Sequence, residues 1–143
     1  MSTNFTLREP VVAYNTFNGK DAFLIINAIK EGILYAFFEQ LAKISSFTIR
    51  DWSRFLHLSE RSMQRYKKEG GRFGAVSSEK ILEITMLYKF GVEVFGDKNN
   101  FNTWINLDNI ALGGLKPKEL LDTSFGIAIV KEELIKIEHG VLA

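Results

Sequence analysis

The side chains with the strongest chemical potential are cations, and seven of them fall between residues 50 and 72: Arg50, Arg54, Arg61, Arg65, Lys67, Lys68 and Arg72. Only Asp51, Glu60 and Glu69 oppose them. Arginine can grip a guanine edge through two hydrogen bonds, glutamine can do the same to adenine, and lysine suits phosphate oxygens. Arg61, Ser62, Gln64 and Arg65 are therefore read as groove-facing residues, and Lys67, Lys68 and Arg72 as phosphate contacts. The other reading of such a block is an ordinary solvated helix face.

Catalytic chemistry finds no such constellation. His57 and His139 are far apart in sequence and lack metal-ligand spacing. A backbone or phosphate hydrogen bond is the expected role of His57, and contact with terminal carbonyls that of His139. Gly70-Gly71 precedes no lysine-serine or lysine-threonine pair, so no phosphate loop is present. Glu132-Glu133 and Glu119 with Asp122 read as exposed helix charges rather than a buried acid–base pair. The aromatic residues are spaced as core. No enzymatic activity and no metal or cofactor is expected.

The cationic residues need two helices to present them. Thr48 can cap a helix carrying Trp52, Phe55 and Leu56, with Asp51 completing a capping box. His57-Leu58-Ser59 then makes a tight turn, and Ser59 caps a second helix over 60–68 that buries Met63 and Tyr66. This is the layout of a helix-turn-helix, whose second helix enters the major groove and which ordinarily works as a dimer on a two-fold operator.

The remaining elements read as helices too. Residues 1–20 lack periodicity and are read as an arm. Helices are expected over 21–31 and 33–45, the latter with Leu34, Phe37, Phe38 and Leu41 at i, i+3, i+4, i+7. The loop over 72–76 can hold a brief extended piece. Ser77 or Ser78 should cap a long helix whose stripe is Ile81, Ile84, Tyr88, Val92 and Phe95, stopped by Gly96-Asp97. A helix over 101–112 with Trp104 and Leu107, a Gly113-Gly114 turn, a short helix from Pro117 to Asp122 and a last helix over 124–138 complete the chain. No period-two alternation is sustained, so the fold class is all-α, a bundle of about seven helices.

A chain of 143 residues with 46% hydrophobic and 24% charged residues can build one core. Its net charge of +1 hides an asymmetry: the basic block is followed, from Glu93 onward, by eight acids against five lysines. Two differently charged regions suggest two partners. Cysteine is absent, which excludes disulfides and thiolate metal sites and suits a cytoplasmic protein. Residues 1–10 are polar and include Arg8 and Glu9, so no signal peptide is expected. No apolar run approaches the roughly 20 residues of a membrane span.

The C-terminal third has no chemistry of its own, yet its residues stand in a specific order. Gly113, Gly114, Pro117, Leu120, Leu121, Thr123, Gly126, Ile137, Glu138 and Gly140, with Val94-Phe95-Gly96-Asp97 and Trp104 upstream, resemble the Xre/MbcA/ParS antitoxins of bacterial type II toxin–antitoxin systems. The resemblance is specific from residue 92 to 143 and looser, but collinear, over 32–91. It departs from the family in having Lys80 where arginine is common.

The resemblance implies an Xre-like helix-turn-helix region for DNA binding and dimerisation, at residues 21–96. It implies a small helical toxin-binding module at 97–143. The implied partners are operator DNA, a second copy of the chain, and a toxin, in this family usually a RES-domain protein that consumes NAD⁺ and is silenced by covering its active-site entrance. Exposure logic then selects Lys116, Lys118, Thr123, Lys131, Glu138, His139 and the tail Val141, Leu142 and Ala143 as toxin contacts. The competing expectations are a stand-alone repressor without a toxin, and an adaptor that keeps the scaffold without binding DNA.

Overall fold

The structure, a computed structural model, describes residues 19–140. Among them are seven α-helices: α1 (Gly19–Glu31), α2 (Tyr35–Ala42), α3 (Ile49–Leu56), α4 (Glu60–Glu69), α5 (Ala75–Phe95), α6 (Lys98–Ile105) and α7 (Ser124–Glu138). Two 3₁₀ turns, Ile110–Leu112 and Pro117–Leu120, lie between α6 and α7. The described residues contain only isolated bridges, Leu34 to Arg72 and Asn109 to Leu115, and no strand. The all-α expectation holds. The arm, apart from Gly19 and Lys20, and the tail Val141, Leu142 and Ala143 lie outside the described residues.

α5 is the spine. Its 21 residues bury Ile81, Leu82, Ile84, Leu87 and Tyr88, and it packs against α1, α2, α3, α6 and α7. Two aromatic groups share this core. One is Phe38, Trp52, Phe47 and Phe55, with edge-to-face pairs 5.1–6.0 Å apart. The other is Tyr88, Phe101, Phe95 and Trp104. Phe47 and Tyr88, 5.4 Å apart, join the two groups. Such contacts add to the area buried and fix relative orientation, so the helix-turn-helix and the C-terminal third share one core.

Local chemistry explains most helix ends and corrects three expectations. α5 begins at Ala75 with Gly74 as its N-cap, ahead of the serines expected to start it. Ser78 is instead buried inside the helix, where its hydroxyl accepts the Ile33 N–H at 2.9 Å. A long-range partner has claimed the side chain that sequence reads as a cap. α2 is shorter than expected, beginning at Tyr35, because the Tyr35 N–H is bound to the Gly71 oxygen at 3.0 Å.

The helix expected over 101–112 divides. α6 ends at Ile105, the Asn106 amide donates back to the Asn102 carbonyl at 2.8 Å, and Leu107 is exposed. Asn109 then pairs with Leu115. Asparagine and aspartate compete for backbone groups in this way and favour turns over helix interiors.

Candidate functional site

α3 and α4 form the helix-turn-helix. Thr48 and Asp51 make the reciprocal capping box at 3.1 and 3.0 Å. His57 ends α3 with φ +57, the one non-glycine residue with positive φ among those described. Leu58 N–H reaches back to the Ser53 oxygen at 3.1 Å, so the turn has the hydrogen bonding of a Schellman close. Ser59 caps α4 by accepting the Ser62 N–H at 3.0 Å.

Met63 is fully buried under α4 and Tyr66 is half-buried against Phe73. Residues spaced three and four apart share a helix face. Arg61, Gln64, Arg65 and Lys68 therefore stand together opposite Met63. With Glu69 they line a shallow surface concavity of about 640 Å³.

Other members of the basic block are used inside the chain. Lys67 lies off that face and pairs with Glu39 of α2 at 3.3 Å. Arg72, read from the sequence as a phosphate contact, instead donates to the Gly32 oxygen at 2.7 Å. The Ser62 hydroxyl accepts from Ser59 and belongs to the cap. Arg50 is largely exposed and lies 3.6 Å from Glu60.

The C-terminal elements rest on the first helix of the motif. Arg54 donates to the Lys118 oxygen at 2.9 Å, and Lys118 Nζ lies 3.6 Å from Asp51. His57 Nε2 meets the Asp122 oxygen at 2.8 Å, and Lys80 Nζ donates to the same oxygen at 2.7 Å. A carbonyl accepts but cannot donate, so His57 carries its proton on Nε2 here. Two main-chain oxygens of the segment 117–122 are thereby held by three side chains of the helix-turn-helix and α5.

Thr123 then caps α7, accepting the Gly126 N–H at 2.9 Å. Gly126 sits so close to the Leu120 carbonyl that a Cβ there would collide with it. Lys116 lies 3.6 Å from Asp108, while Lys131, Glu138 and His139 are exposed on or just beyond α7.

Comparisons with known proteins match two segments of the chain. Residues 25–85 match the Antitoxin Xre-like helix-turn-helix domain. Residues 91–140 match the Antitoxin Xre/MbcA/ParS C-terminal toxin-binding domain. Together the two matches support an antitoxin of the Xre/MbcA/ParS family. A protein named Antitoxin Xre from Yersinia enterocolitica serotype O:8 / biotype 1B is 27% identical over 121 residues, which cover 84% of this chain and 82% of the relative. Another of that name, from Photorhabdus laumondii subsp. laumondii, is 29% identical over 120 residues, covering 82% and 81%.

Within the Xre frame, the contacts of Arg54, His57 and Lys80 join the two matched segments. The sequence showed the cations but not their direction. For Lys67 a partial signal was available: it stands three residues from Gln64 but neither three nor four from Arg61, Arg65 or Lys68. For Arg54 and Lys80, whose partners are main-chain oxygens 64 and 42 residues away, there was none.

Proposed function

We propose that the chain neutralises a RES-type, NAD⁺-consuming toxin by covering its active-site entrance with residues of the 91–140 segment and the tail, and that it represses its own operon through α4 as a homodimer in the cytoplasm. The observation that carries this reading is one shared hydrophobic core bearing two distinct regions. A cationic face of Arg61, Gln64, Arg65 and Lys68 stands on the Xre-like motif, and a docked module matching a toxin-binding domain adjoins it.

Arg61, Gln64 and Arg65 would meet base edges, Lys68 and the more peripheral Lys67 the phosphates. A single motif buries little DNA, which favours two-fold binding. On the toxin side, Lys116, Lys131, Glu138, His139 and the tail Val141, Leu142 and Ala143 supply the rim of the interface. Thr123 and Lys118 support it from within, through the α7 cap and the Asp51 pair. Interfaces of this kind place polar residues around an apolar centre.

Co-expression with the neighbouring toxin gene tests both halves. The chain should co-purify with the toxin and stop its NAD⁺ consumption, and should retard its own upstream DNA in a salt-dependent way. Retardation of that DNA with no capture of any neighbouring gene product would instead favour a stand-alone repressor.

A further inference from the structure

The toxin-binding segment carries apolar side chains that its own core does not use. Ile110 is 96% exposed and Phe125 79%, with Leu107, Leu115 and Ile129 also in water. Single exposed apolar residues are ordinary, but grouped ones mark contact surfaces. Phe125 and Ile129 stand one turn apart on one side of α7, and the first 3₁₀ turn, which carries Ile110, packs on α7.

The turn beneath Ile110 is built to stay in place. Asn109 Oδ1 accepts the Ala111 N–H at 2.9 Å, Asn109 N–H donates to the Leu115 oxygen at 3.0 Å, and Gly114 N–H donates to the Asn109 oxygen at 2.9 Å. Gly113 and Gly114 supply the positive φ that closes it, and Leu112 is buried as its anchor. Ile110 is thus held outward by a structured turn. A side chain presented this way loses little conformational freedom on binding, the property that makes a good anchor.

We propose that Ile110 and Phe125 are the apolar anchors with which this chain grips its toxin, each filling a hydrophobic pocket on that protein, with charged neighbours such as the Asp108–Lys116 pair at the rim. The inference rests on the toxin-binding reading. Its occupant is a protein because the anchors lie within the segment matching a toxin-binding domain, and DNA, a polyanion, offers such side chains little. The cationic face that suits DNA is on α4 instead.

The test uses the full-length chain with Ile110→Asp and Phe125→Asp. Both positions are exposed, and Phe125 lies in the first turn of α7, where an acid suits the helix dipole, so folding should be retained. Val76→Asp is the control, at an apolar residue 81% exposed on α5 outside the segment. Titration against the co-encoded toxin should show each anchor variant weakened by about 30-fold or more, the scale of interface hot spots. Val76→Asp should bind as the parent does, and all three should keep their helix content and operator binding.

Anchor variants that bind the toxin within about twofold of the parent would overturn the proposal while leaving the toxin reading standing. Variants that lose self-association and keep toxin affinity would overturn it in favour of a second copy as the occupant. A parent chain that captures no toxin would sink the toxin reading itself.

Discussion

His57 Nε2 donates to the main-chain oxygen of Asp122 across 2.8 Å, tying the turn of the helix-turn-helix to the residue two positions before α7. The same oxygen takes the Lys80 ammonium at 2.7 Å. His57 makes this contact from the left-handed position that ends α3. A bulky residue at φ +57 carries a backbone cost of about 1–2 kcal/mol, so two opposing effects meet at this residue.

Substitutions at position 57 separate them. His57→Ala keeps the strained backbone and loses the hydrogen bond, so it should lower unfolding free energy by about 1 kcal/mol. His57→Gly loses the same bond but relieves the backbone, and should lie close to the parent. Chemical denaturation of the two variants checks the order. Equal stability of the two would mean that the left-handed turn carries no cost.

The α4 face predicts a ranking in DNA affinity. Arg61→Ala and Arg65→Ala should each weaken operator binding by about tenfold or more, since a bidentate base contact is worth about 1–3 kcal/mol. Lys67→Ala should matter less, because Lys67 points to Glu39 and surface pairs contribute about 0–1 kcal/mol. Mobility shifts across a salt series read both effects. A Lys67 variant as weak as the arginine variants would contradict this placement of α4.

Glu83 predicts a pH dependence. Burial raises its carboxyl above the usual range, Glu79 pushes in the same direction, and the Ser124 hydroxyl, Lys80 and Lys131 partly offset them. The folded group therefore holds its proton more readily than the unfolded one. Its contribution favours the fold below 4.5 and is lost as pH rises through the folded value. Glu83→Gln, which keeps an acceptor for Ser124, should raise the melting temperature at neutral pH, with the gain fading below pH 4.5. Thermal melts across that range decide it.

Thr85 is fully buried on α5 and its hydroxyl has no hydrogen-bond partner among the described residues. An unsatisfied buried polar group costs about 1–3 kcal/mol. Thr85→Val keeps the shape and removes the group, so it should be neutral to stabilising by denaturant titration. A loss of more than about 1 kcal/mol would show that the hydroxyl is satisfied.

The helices were legible where side chains answer to near neighbours. The capping box of Thr48 and Asp51, the Ser59 cap, proline at the head of the second 3₁₀ turn and the buried Ile81, Ile84 and Tyr88 of α5 all follow from residues within two turns of one another. Legibility failed where a distant group intervened. Ser78 looked like a cap and serves Ile33 instead, 45 residues away. Lys118 looked like a free surface cation and faces Asp51.

The candidate DNA face could be read because one helix supplies all of it. The proposed toxin surface was harder, since apolar residues at helical spacing read as core. Ile110 and Phe125 become conspicuous only when the fold shows them in water.

We propose that one chain joins DNA recognition to neutralisation of an NAD⁺-consuming toxin, and NAD⁺ turnover by the purified product of the adjacent gene, titrated with this chain, tests it. Turnover should fall to background near stoichiometric addition, and Arg65→Ala, altered only on the proposed DNA face, should inhibit as well as the parent. Turnover that continues undiminished at excess chain would contradict it.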